Sequence, residues 1–192
     1  KRQLMETKLI MSHARRNEIR KHLDYYSGVS TEQYIDKYFN GDAFSEIPSS
    51  LTNFTRKFIN KISRIYSLGA KRNIGNTTER YAELTPTKDV RMKHSERMTR
   101  LIGTVANRVY WMDDGFFDYR PIYYFESYFD ENPFFPRAIV YPLLNSTADL
   151  SNTDSLQWEY WDNNSYGILD ENGKILDEKE NPYGTLPFVF TH

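Results

Sequence analysis

The sequence changes period at Gly103, and that change constrains what the chain can fold into. Before it, apolar residues recur three or four apart, the spacing of helices with one buried face. After it, they alternate, the spacing of strands. Helices gathered first and strands second define an α+β protein: N-terminal helices followed by an antiparallel β-meander.

The helical part opens with residues 3–26, where Leu4, Met5, Leu9, Ile19 and Leu23 fall at helical spacing. A basic run, Arg15, Arg16, Arg20 and Lys21, lies between them. The helix runs into Tyr25-Tyr26-Ser27-Gly28, where Gly28 suits a terminator. Ser30 with Gln33 gives a capping-box pattern for a short helix carrying Tyr34, Ile35, Tyr38 and Phe39. A third helix starts at Ser50 or Thr52 and ends at Gly69. It sets Phe54, Phe58, Ile62 and Ile65/Tyr66 on one stripe, which is expected in the core, with Arg56, Lys57, Lys61 and Arg64 off it. Residues 70–87 are expected to form a polar loop. Asp89 caps a further helix to about Leu101, with Val90, Met98 and Leu101 inward.

Past Gly103, Val105–Trp111 reads as a strand, and Asp113-Asp114-Gly115 as a hairpin turn. Phe116–Arg120, Ile122–Phe129, Ala138–Tyr141, Leu156–Trp161, Tyr166–Leu169 and Ile175-Leu176 are further strand-like runs. Asp130–Pro133, the polar stretch 145–154, Asp162–Asn164 and Asp170–Lys174 separate them. The closing run is Asn181-Pro182-Tyr183-Gly184-Thr185-Leu186-Pro187-Phe188-Val189-Phe190, a turn delivering the chain into a buried or half-buried strand.

At 192 residues this is one domain, or one domain with a satellite. Aromatic residues make up 16%, enough to furnish interfaces as well as a core. With no cysteine, disulfides and thiolate metal sites are excluded, and a reducing compartment is the mild inference. No apolar run approaches the roughly 18 residues of a membrane span. No signal peptide is visible, and with the start at Lys1 a fragment or trimmed chain is expected.

The net charge of -1 hides an asymmetry. Residues 1–110, mostly helical, carry 21 Lys and Arg against 11 Asp and Glu; residues 111–192, strand-rich, carry 4 against 15. The balances are therefore +10 and -11. Two solvated faces, a basic part meeting the acidic part of an identical neighbour, and a basic part facing nucleic acid all fit this split.

Enzyme signatures are missing from the sequence. His13, His22, His94 and His192 have no partner at metal-ligand spacing. Phosphate loops, dinucleotide fingerprints and nucleophile elbows do not occur. The carboxylate pairs Asp113/Asp114 and Asp170/Glu171 adjoin turn glycines and read as solvated turns. Neither catalysis nor a cofactor or metal is expected.

The order of these parts resembles the wing-domain portion of tailed-bacteriophage portal (head-tail connector) proteins. Four features carry the likeness: the Arg-rich helix ending in Tyr25-Tyr26-Ser27-Gly28; the Asn53–Gly69 helix; the Arg91–Gly103 helix running into the Val105–Trp111 strand and its Asp-Asp-Gly hairpin; and the train Arg137–Pro142, Trp158–Trp161, Tyr166, Asp170, Gly173, Asn181, Gly184 and Pro187. The resemblance implies a structural subunit of a ring, commonly twelve-fold, at a capsid vertex of the virion. Double-stranded genome DNA would pass along its axis. Partners would be identical subunits, the major capsid protein, a head-tail adaptor and terminase. Arg15, Arg16, Arg20 and Lys21 are then candidate contacts to a neighbouring subunit or to DNA. The alternative is a non-catalytic nucleic-acid-binding domain using the basic helical half; a nuclease would need carboxylates from several strands converging on one cleft.

Overall fold

The computed structural model describes residues 13–28, 53–66, 70–130, 134–143 and 157–192. The expected Ser30–Phe39 helix, the stop at Gly69, the Glu131–Pro133 break and the 145–154 loop lie outside the described residues.

Helix α1 spans His13–Ser27 and buries Ile19, with Leu23 packed nearby. Gly28, at φ +89, ends it as expected, its N–H bonded to the Asp24 carbonyl at 2.9 Å. The last carbonyls of α1 are satisfied from a distance. Asn53 Nδ2 donates to Tyr25 O and Tyr26 O at 3.1 and 3.0 Å. Asn53 Oδ1 accepts from Arg56 N–H at 2.7 Å and so caps α2, Phe54–Ile62. One side chain thus closes one helix and opens the next.

Three helical expectations need correction. Helix α2 stops at Ile62, with Ser63 as its C-cap, well short of Gly69. Residues 70–87 contain a 3₁₀ turn at Gly75–Thr77 and helix α3 at Thr78–Leu84, because Thr78 and Thr85 bond local backbone and punctuate the stretch. Helix α4, Lys88–Ile102, has its N-cap position at Thr87, two residues ahead of Asp89, which lies in the first turn. It buries Met98 but leaves Val90 74% exposed, since the inward face is shared with the polar Ser95, Glu96 and Thr99. Gly103 (φ +95) then turns the chain into β1, Val105–Trp111.

The strands form two antiparallel sheets. In the smaller, β1 lies between β2 (Phe117–Ile122) and β8 (Phe188–Thr191). The β1–β2 turn is the expected Asp113-Asp114-Gly115, with Gly115 at φ +85. The larger runs neighbour to neighbour through β3 (Glu126–Tyr128), β4 (Ala138–Pro142), β5 (Trp158–Asp162), β6 (Ser165–Leu169) and β7 (Ile175–Glu180). The single expected meander therefore holds for five strands. The closing strand leaves it and returns to β1, with Thr191 opposite Val105.

Strand alternation gives the five-stranded sheet two buried faces. Val140, Trp158, Tyr160 and Leu169 pack with Ile19 of α1. Ile139, Tyr141 and Trp161 pack against Ala106, Ile122 and Phe125 on the side of the small sheet. Each such side chain contributes about 1.5–3 kcal/mol by leaving water. Gly167 allows β7 to lie close: a Cβ there would collide with the Asp177 carbonyl. The two sheets are also joined by Arg108, which bonds Glu159 Oε1 at 2.7 Å and the Tyr141 hydroxyl at 3.0 Å and lies 4.7 Å from the Trp161 ring centre. Helix α4 meets the small sheet through hydroxyls: Asn107 Nδ2 donates to Ser95 Oγ at 2.8 Å, and Thr99 and Thr191 bond at 2.7 Å.

The split at residue 110 falls inside β1, so the basic and acidic parts share strands and core.

Candidate functional site

The four basic residues of α1 meet different surroundings. Arg16 is buried. Arg15 turns toward the sheet, 3.9 Å from Glu126 and with its guanidinium 5.5 and 5.6 Å from the Tyr124 and Phe125 ring centres. Arg20 and Lys21 point to solvent, Arg20 beside Asp24 at 3.8 Å and Lys21 5.9 Å from the Tyr25 ring centre. The run in sequence is therefore not one patch in space.

The other singled-out residues sit at joints of the fold. Tyr25 and Tyr26 offer the carbonyls that Asn53 caps. Gly28 and Gly103 end helices at positive φ. Asn181 is buried; its Nδ2 donates to Asp162 O and Thr185 O at 2.8 and 2.9 Å, and its Oδ1 accepts from Tyr183 N–H at 3.0 Å. Gly184 takes φ +63 in the same turn, and Pro187 O accepts from Val109 N–H at 2.8 Å, seating β8 on β1.

The stripe on α2 reverses the expectation drawn for it. Phe54 is 78% exposed, Phe58 62% and Ile65 66%, while the buried residue of the helix is Ile59. Polar attachments set this orientation. Tyr26 donates to Asn60 Oδ1 at 3.1 Å, Asn53 holds the N-terminus, and the buried Glu96 accepts from the N–H groups of Ile65 and Tyr66 at 3.2 and 3.4 Å. The exposed ridge is bordered by Arg56, Lys57 and Lys61, and residues 54–66 contain no carboxylate. Large exposed apolar side chains at i, i+4 and i+8, continued past the helix end by Ile65 and with a one-sign border, make this a candidate binding face.

A second surface is an open groove of about 1040 Å³ between β3 and β8, lined in part by Phe125, Phe129, Phe135, Phe188 and Phe190. Both strands are edges of their sheets. Sequence reasoning missed this groove because its walls come from two separate sheets.

The perturbed ionisable groups are tied into structure. Burial works against the Asp118 carboxylate, but hydrogen bonds from Arg91 (2.8 and 3.0 Å) and Thr87 (2.7 Å) prevail and hold its pKa at about 2. Burial, with Arg91 and Arg97 nearby, lowers His94, which bonds Tyr123 at 2.8 Å; burial also pushes Tyr123 up to about 12. Burial raises Tyr141 and Tyr160 as well. Among the described residues, no group of three His, Asp or Glu gathers where it would hold a metal. No described helix is long and apolar enough to cross a membrane. No family model matches the chain, and no curated protein matches it.

Proposed function

We propose that this chain is part of the wing domain of a ring-forming phage portal subunit, a structural conduit for genome DNA at a capsid vertex. What supports the reading is the ordered series of motifs that carries the resemblance, together with the position of those motifs in the fold. Tyr25, Tyr26, Gly28, Gly103, Asn181, Gly184 and Pro187 all lie where a helix ends, a strand begins or the closing strand is seated. Residues in such positions specify a fold, so a shared series of them argues for a shared architecture. In this reading the domain supports the ring and faces the shell. Identical subunits, major capsid protein, adaptor and terminase are the partners, and the virion is the site of action. Native mass spectrometry of the full-length protein is the test: a closed oligomer of about a dozen subunits is expected, and a strictly monomeric protein would refute the proposal.

One observation favours a second reading, a nucleic-acid-binding domain. Phe54 and Phe58 stand in solvent beside Arg56 and Lys57, an arrangement that can stack bases and hold phosphates. Tight, salt-sensitive binding of oligothymidine by a monomer would mark it out.

A further inference from the structure

We infer that the exposed ridge of α2 is the docking face for the acidic edge strand β7 of a second copy of this chain. The inference rests on the ring reading and names a contact within it. The ridge is formed by Phe54, Phe58 and Ile62 of α2, whose inward side is already committed to α1 and α4, and is continued past the helix end by Ile65; all four are exposed. Residues 54–66 carry four Lys and Arg and no acid, a local balance of +4.

The complementary surface lies on the same molecule. Strand β7 is the outer strand of the five-stranded sheet, bonded to β6 on one side. Residues 170–180 carry five Asp and Glu against two Lys, a balance of -3. Leu176 lies 51% exposed on this strand, flanked by Asp177 and followed by Glu180. An apolar ridge bordered by cations thus has a counterpart in an exposed leucine bordered by carboxylates. The pairing repeats at the scale of the chain, where balances of +10 and -11 divide between residues 1–110 and 111–192.

Two different patches on one molecule that fit each other produce a head-to-tail contact, which closes into a ring when the rotation permits. Charge complementarity selects this partner and sets its orientation, while the apolar ridge supplies the area removed from water. Nucleic acid accounts less well for the same face. Phe54 and Phe58 can stack on bases, but Ile62 and Ile65 complete the ridge and have no ring with which to do so.

The experiment uses the full-length protein in three forms: wild type, Lys57→Glu/Lys61→Glu, and that pair combined with Asp177→Lys/Glu180→Lys. All four positions are exposed, and circular dichroism checks that each form is folded. Self-association, followed by sedimentation velocity against concentration and salt, is expected to weaken about tenfold or more in the lysine reversal and to recover in the combined variant. Because the chain has no cysteine, Phe58→Cys with Leu176→Cys gives a second readout: an oxidative cross-link between copies. A ring whose assembly is unchanged by the reversal and that forms no cross-link overturns this contact and leaves the ring reading standing. A wild type that never closes into a ring refutes the ring reading, and the cross-link then reports on the contact separately. Protection of the ridge by oligothymidine or by anionic vesicles in a protein that stays monomeric also overturns the inference.

Discussion

At the scale of single residues, charge in this protein is mostly used to fix structure. Asp118 shows how. It is almost fully buried, and Arg91, Thr87 and Tyr110 all donate to it. Its folded pKa of about 2 lies below the 3.8 of an ordinary aspartate, so the unfolded chain binds the proton more readily. The stability it contributes is therefore complete above about pH 4 and is lost as pH falls toward 2. Asp118→Asn is expected to cost on the order of 2 kcal/mol at neutral pH and to flatten that acid limb. Urea denaturation of both forms between pH 2 and 7 measures it; parallel pH profiles would contradict it. The basic run on α1 makes the complementary point. Four cations close in sequence do not form one patch: Arg16 is buried and Arg15 lies half-exposed against Glu126 and two rings, while Arg20 and Lys21 meet solvent.

At the scale of elements, α2 is held by its polar ends. Asn53→Ala removes the N-cap of α2 and leaves the Tyr25 and Tyr26 carbonyls of α1 without that donor. The expected loss is about 1–3 kcal/mol, more than a single cap would give. Hydrogen exchange should report opening of both helix ends together, and exchange confined to α2 would show that the link is not cooperative. This arrangement explains where the sequence was readable. Alternation and the Asp-Gly turn located most strands, because those signals act between neighbours. Gly103 was legible as the boundary because only a change of backbone region separates the two periods. The α2 stripe was legible as a stripe but not as an exposed one. Periodicity states that Phe54, Phe58 and Ile62 share a side; it does not state which side Asn60 and Glu96 will hold inward. The groove between β3 and β8, and the contact of β7 proposed above, depend on residues far apart in the chain and carry no local signal.

For the molecule as a whole, the Arg108–Glu159 pair is the main polar tie between the two sheets. Both side chains are largely buried, and the Tyr141 hydroxyl and Trp161 ring complete the guanidinium's surroundings. Arg108→Met keeps the stem but leaves the Glu159 carboxylate with the Trp161 Nε1–H (2.8 Å) and without its cation, so a loss of about 2–4 kcal/mol is expected. Arg108→Met with Glu159→Gln should recover much of it, and a double variant no more stable than the single one would show that the pair is not the tie. The small sheet, meanwhile, joins distant parts of the chain. Thr191 bonds Val105 across 86 positions, and the whole five-stranded meander lies between them. Bringing such remote segments together costs on the order of 4 kcal/mol in loop entropy before any contact repays it. A ribosome making this protein therefore finishes the meander before β8 has emerged. Residues 188–191 act as a latch, and until they arrive β1 keeps an open margin to which a stray strand from another nascent chain could pair.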